Sequence, residues 1–179
     1  MRVRRAWRDE SGTATIPFVI FFPFMITLVV SSLELGFVMT RHVMLERAVD
    51  LSVRDLRLNL VGTLTHDEFK QIVCDRSALI ENCENVLMIE LRKVDTTTWE
   101  PLAAGATCTE EGQYVSPPGF EQGGSDELML IRACAKFKPI FPMTGLGLDM
   151  PKDSAGYYAL VTSSAFVNEP ILGAAVGGS

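Results

Sequence analysis

The sequence predicts an α+β protein. One long N-terminal helix, transmembrane over its first half and periplasmic over its second, packs on a small antiparallel sheet. Three observations lead there. Ala14 to Leu33 is an apolar run of 20 residues without an ionisable group. Behind it, Leu45, Ala48, Val49, Leu56 and Leu60 recur at helical spacing, widened by Met44, Leu51 and Val53. Further on, three segments carry strand patterning.

The apolar run comes first in the chain. At about 1.5 Å per residue it is roughly 30 Å long, the thickness of a bilayer's hydrocarbon core. Arg2, Arg4, Arg5 and Arg8 precede it, opposed only by Asp9 and Glu10. Positive charge on the near side predicts a cytoplasmic N-terminus and one span of the bacterial inner membrane, with Glu34 onward in the periplasm. A cleaved secretory signal would have a shorter core and a small-residue cleavage site. Here Ser31-Ser32-Leu33-Glu34-Leu35-Gly36 follows. A soluble core helix would rarely be apolar on every face. Pro17 and Pro23 each remove an amide from the run and should kink an isolated helix.

The same helix should continue to about Asn59, with Gly62 as its breaker. Arg41, Glu46, Arg47, Asp50, Arg54, Asp55 and Arg57 occupy its other face. Thr65-His66-Asp67-Glu68 reads as a capping box that starts a second helix, with Phe69, Ile72 and Val73 inward. Val86–Val94 alternates, placing Leu87, Ile89 and Leu91 opposite Glu90 and Arg92. Leu128–Phe137 sets Ile131, Ala133, Ala135 and Phe137 against Arg132 and Lys136, and Tyr157–Val167 is the third strand. Ala103–Asp126 reads as a loop rich in Gly, Pro and acid. Pro139, Pro142, Gly145, Gly147 and Pro151 argue against regular structure between the last two strands. The expected organisation is a leader over 1–12, a span over 13–33, a helix extension over 34–62, a disulfide-clamped α+β domain over 63–170 and a flexible tail over 171–179.

From Glu34 onward the chain has 12 Lys and Arg against 20 Asp and Glu, without a basic patch, which argues against nucleic acid as a partner. Cys74, Cys83, Cys108 and Cys134 all follow the span. An even count in an oxidising compartment predicts two disulfides. Spacings of 9, 25 and 26 without a C-x-x-C pair argue against zinc. Three pairings are open, and Cys74–Cys83 with Cys108–Cys134 closes the shortest loops. On the chain-entropy model these contribute about 2.7 and 3.5 kcal/mol. In that pairing the second helix must end between Cys74 and Cys83, because nine helical residues would part their Cα atoms by about 13 Å.

No enzymatic constellation stands out, and no cofactor is expected. His42 and His66 read as surface residues, one on the helix just outside the membrane and one in the first turn of the second helix. H-E-x-x-H, G-x-S-x-G, a phosphate loop and a calcium loop are all missing from the sequence. Glu110, Glu111, Glu121, Asp126 and Glu127 offer carboxylates to a divalent cation, but at irregular spacing. Glu34 and Gly36 mark the membrane boundary or a subunit contact, with the Glu34 carboxyl expected to reach water. Thr27, Ser31 and Ser32 are small enough to let another helix approach.

The stretch from Gly12 to Pro23, then Leu33-Glu34-Leu35-Gly36, then Glu46-Arg47-Ala48-Val49-Asp50 and Arg54-Asp55, resembles the N-terminus of TadE-like minor pilins of the tight adherence (Tad) pilus. The resemblance covers about Glu10 to Arg57. It implies a non-enzymatic pilin-like subunit that supports assembly of a surface-attachment pilus. Its partners would be the membrane, other pilin-like subunits, the assembly platform and a prepilin peptidase acting between Gly12 and Thr13. The pattern departs at one position: the family's glutamate five residues after the leader glycine is Pro17 here. Pro17 cannot pair with a neighbour's terminal amine, so processing, and a place in the fibre or at the platform, stay open. The competing class is an anchored extracytoplasmic binding or sensing module. Such a module usually follows its anchor with a flexible linker, whereas Glu34 to Asn59 holds one Gly and no Pro.

Overall fold

The computed structural model describes residues 15–98, 105–109 and 119–170. In chain order these form α1 (Thr15–Arg57), α2 (His66–Arg76), α3 (Cys83–Val86), β1 (Leu87–Lys93), β2 (Leu128–Phe137), α4 (Gly145–Asp149) and β3 (Tyr158–Val167). The chain divides into two compact units. One takes the start of α1 through Phe37 together with Pro139–Met150; the other takes Val38–Lys138 and the residues from Pro151 onward. The expected leader and tail lie outside the described residues.

In the first unit, α1 exposes apolar side chains all round, among them Phe18, Phe21, Phe24, Met25 and Leu28. It is the one helix among the described residues long and apolar enough to cross a membrane. Pro17 falls in the first turn of the described helix, while Pro23 lies inside it. Pro23 has no N–H for the carbonyl of Val19. Its own carbonyl accepts from Thr27 Oγ1 at 2.6 Å. Beside this helix, the residues between β2 and β3 depart from expectation: Gly145–Asp149 makes one short helical turn, closed by Met150 N donating to Leu146 O at 3.0 Å. The prolines flank that turn without entering it.

The second unit is built on a three-stranded antiparallel sheet in the order β1-β2-β3. One face carries Leu87, Ile89, Leu91, Met129, Ile131, Ala133, Ala135, Phe137, Tyr158 and Phe166, all buried. Against it α1 lays Leu45, Ala48, Val49, Ser52, Val53 and Leu56, also buried. Ser52 satisfies its hydroxyl on Ala48 O at 2.8 Å. Arg41 fixes the near end, donating to Tyr158 Oη at 2.8 Å with its guanidinium 5.1 Å from the Phe137 ring centre. Arg57 ion-pairs with Glu169 at 2.9 Å at the far end.

Helix α1 ends at Arg57, close to the expected Asn59, but the residue that breaks it is Asn59 and not Gly62. Asn59 adopts φ 52°, Asn59 N donates to Leu56 O and Leu60 N donates to Asp55 O, both at 3.0 Å. This is the Schellman closure, with Asn in the left-handed position that glycine more often takes. It turns the chain out, so Leu60 is exposed and not part of the inner stripe. Thr65 caps α2 as the box predicts: Glu68 N reaches Thr65 Oγ1, and Thr65 N reaches Glu68 Oε2 at 2.8 Å. Phe69 and Val73 are its buried residues. The helix ends at Arg76, before the disulfide partner of Cys74.

Candidate functional site

Glu34 heads the most unusual arrangement in the molecule. It stands at the outer end of the apolar run, yet its relative exposure is 0%. The expectation that its carboxyl reaches water is therefore corrected. The reason lies in the first unit, where the segment after β2 covers it. Ile140 N donates to both carboxyl oxygens at 3.1 Å, and Phe141 N donates to Oε2 at 2.9 Å. One turn earlier, Ser31 Oγ accepts from Leu146 N at 3.3 Å.

Gly145 completes the cradle. Its φ is +48°, and a Cβ there would collide with Ser31 Oγ while coming within 3.5 Å of Thr27 O. The small residues Thr27 and Ser31, read as room for another helix, here admit this chain's own backbone. Gly36 lies two residues past Glu34 on an exposed part of α1, where an added Cβ would meet no atom within 4 Å. Chemically the cradle is a clamp on backbone. The carboxyl spends its lone pairs on main-chain donors, satisfying amides that would otherwise be buried at a cost of about 1–3 kcal/mol each.

The disulfides are Cys74–Cys83 and Cys108–Cys134, with Cα separations of 5.6 and 5.3 Å. The second has a consequence that alternation did not predict. Cys134 points to the sheet face opposite α1, so its bridge draws 105–109 across that face. Arg132 donates to Gly105 O, and Thr109 Oγ1 to Val86 O at 3.3 Å. Glu90, expected on the face opposite Leu87, Ile89 and Leu91, is there but buried, with 5% exposure. It keeps its charge partnered by Arg92 at 2.7 Å and by Arg132, its cross-strand neighbour, at 3.9 Å. A buried carboxylate needs such partners.

Both histidines differ from free surface residues. His42 Nε2 lies 3.3 Å from Val161 O, and its Nδ1 lies 3.8 Å from Glu46. His66 has a side chain only 10% exposed, set edge-on to Phe120 at 5.8 Å, with Asp67 2.9 Å from Nδ1. Phe120 is brought there because Gly119 to Glu121 add to the free edge of β1: Leu91 N donates to Gly119 O at 3.1 Å and Glu121 N to Leu91 O at 2.9 Å.

Of the acidic cluster, Glu110 and Glu111 lie outside the described residues. Glu127 is occupied within the protein: Gly124 N donates to it at 2.7 Å and Lys93 pairs with it. The Gly124 amide first, and then Lys93, hold its carboxyl below the ordinary carboxylate range. The described residues contain no group of three or more His, Cys, Asp or Glu placed to hold a metal. Gly12 and Thr13, the candidate cleavage residues, also lie outside the described residues.

Comparison with protein-family models, with curated proteins and with solved structures gives no match. The reading of this site therefore rests on its chemistry. The residues that sequence reasoning missed are Ile140, Phe141 and Gly145, which act through main chain. Their one sequence signal is the charge-free stretch from Pro139 to Leu148, flanked by Lys138 and Asp149.

Proposed function

We propose that this chain is a single-pass inner-membrane protein with its N-terminus in the cytoplasm. In this reading it is a non-enzymatic, pilin-like subunit that supports assembly of a Tad-type pilus for surface attachment. The observation that carries the reading is α1, a single 43-residue helix continuing from an apolar run into a disulfide-bonded α+β unit without a linker. An apolar helix without a linker suits lateral packing with like helices, whereas a tethered sensor works better on a flexible stem. The resemblance from Glu10 to Arg57 points the same way, and two disulfides suit an oxidising compartment. Without a carboxylate at Pro17, such a subunit would propagate a filament poorly. That favours a low-copy role in initiating or completing the fibre, alongside other pilin-like subunits and the assembly platform.

The deciding experiment is deletion and complementation in the native host. Pili counted by electron microscopy, and attached cells, should both fall sharply in the deletion strain and return with the gene. Unchanged piliation and adherence would overturn the pilus reading in favour of a binding or sensing module. In the same strain, N-terminal sequencing of membrane-extracted protein tells a processed chain starting at Thr13 from one that keeps its leader. Alkaline phosphatase fused after Ser179 reports the side on which the domain lies.

A further inference from the structure

The segment Pro139–Leu148 has the properties of backbone designed for an apolar solvent. It is ten residues without an ionisable group. Ile140, Met143 and Leu148 are exposed, Met143 by 81%. Water would penalise that display, but its neighbours on α1 are more exposed apolar side chains. Where nothing aqueous is at hand, every main-chain donor needs an internal acceptor. Pro139 and Pro142 carry no N–H. Ile140 and Phe141 donate to Glu34, Leu146 to Ser31, and Thr144 to Phe141 O at 3.3 Å.

Position along α1 sets the depth. Gly145 sits against Thr27 and Ser31, which are six and two residues inside the outer end of the apolar run at Leu33. At 1.5 Å per residue that is roughly 9 and 3 Å below the hydrocarbon boundary.

We propose that Pro139–Leu148 is a second membrane element. It is a short re-entrant loop whose Ile140, Met143 and Leu148 contact the acyl chains of the outer leaflet, while Glu34 and Ser31 accept from its Ile140, Phe141 and Leu146 amides. The inference rests on the reading of α1 as a bilayer span, and the test separates the two. Full-length protein with Trp7 and Trp99 replaced by Phe is placed in phosphatidylcholine vesicles containing brominated lipid. It then carries a single tryptophan in one of three variants, Met143→Trp, Phe24→Trp or Thr97→Trp. Met143→Trp should lose about half its emission to bromines near the headgroup end of the chains. Its iodide quenching should be about threefold weaker than that of Thr97→Trp, which lies on an exposed turn. Ile140→Trp repeats the measurement from the loop's other apolar residue.

Quenching of Phe24→Trp by bromolipid, with Met143→Trp open to iodide, overturns the loop proposal and leaves the span standing. Protection of Met143→Trp from both quenchers also overturns it, because the cover is then a second copy of the chain. An unquenched Phe24→Trp removes the span, and the loop proposal with it.

Discussion

Each of the two compact units has its own internal means of cohesion, and the two means are opposite. In the second, apolar side chains from α1, α2 and the sheet meet in a dry interior that includes Leu45, Phe69, Ile89 and Ile131 at 0% exposure, and two disulfides staple its edges. In the first, apolar side chains point outward, and polar side chains hold backbone in place: Glu34 on Ile140 and Phe141, Ser31 on Leu146. Water drives the first kind of assembly, by expelling apolar surface. In lipid that force is absent, and unsatisfied amides become the dominant cost. The inside-out unit is thus what this apolar run should build if it spans a bilayer, as proposed above. The contrast also says where each half is vulnerable.

The largest effect belongs to the stapled unit. Replacing Cys108 and Cys134 together by Ala opens a 26-residue loop and should lower stability by about 3.5 kcal/mol on the chain-entropy model. A urea titration of the detergent-solubilised chain, followed by near-ultraviolet circular dichroism, measures it. An unchanged midpoint would mean that apolar packing alone holds this unit.

Second in size is the polar clamp of the other unit. Glu34→Ala leaves the amides of Ile140 and Phe141 without their acceptor, at a cost of about 2 kcal/mol. Amide hydrogen exchange at those two residues should accelerate roughly thirtyfold, since each 1.4 kcal/mol is a factor of ten. Glu34→Gln keeps one carbonyl oxygen in place and should recover part of the protection. Equal exchange in wild type and Glu34→Ala would show that packing, not the carboxyl, holds the segment.

The same division explains what could be read from residues alone. Alternation and helical period report burial on one face of one element, so Leu45, Ala48, Val49, Phe69, Ile89 and Ile131 were legible. So was the Thr65–Glu68 box, whose partners are three residues apart. The disulfides followed from compartment and loop length. What stayed hidden was contact between distant backbone and side chain. An amide donor has the same identity in every residue, so Ile140 and Phe141 carry no mark of their acceptor 106 and 107 positions away. Alternation put Glu90 on the second face but could not show its burial, because it cannot see a segment drawn to that face by Cys134. The end of α1 near Asn59 was legible, but its breaker was assigned to Gly62 because the left-handed position is open to both Asn and Gly. His66 was read as a surface residue because Phe120 reaches it only through pairing with the edge of β1.

The smallest predicted effect tests an electrostatic detail of the stapled unit, where charge sits near water. Asp153 closes the turn before β3: its Oδ1 accepts from Tyr157 N at 2.9 Å and Ala155 N at 3.0 Å, and its Oδ2 from Lys136 Nζ at 2.8 Å. The Lys136 hydrogen bond first, and then the Tyr157 amide, hold its carboxyl below the ordinary aspartate range. A carboxyl depressed in the folded state binds its proton more readily when unfolded. Its contribution is therefore full above the unfolded value and fades as pH falls toward the depressed one. The pair is partly exposed, so Asp153→Asn should cost only about 0.5 kcal/mol at neutral pH. The sign is the sharper test. The gap between wild type and Asp153→Asn, measured by urea titration, should be widest near neutrality. It should narrow steadily as the pH is lowered through the carboxylate range. A gap that stays constant with pH would mean that Asp153 acts as a neutral turn-closing acceptor and that its charge adds nothing.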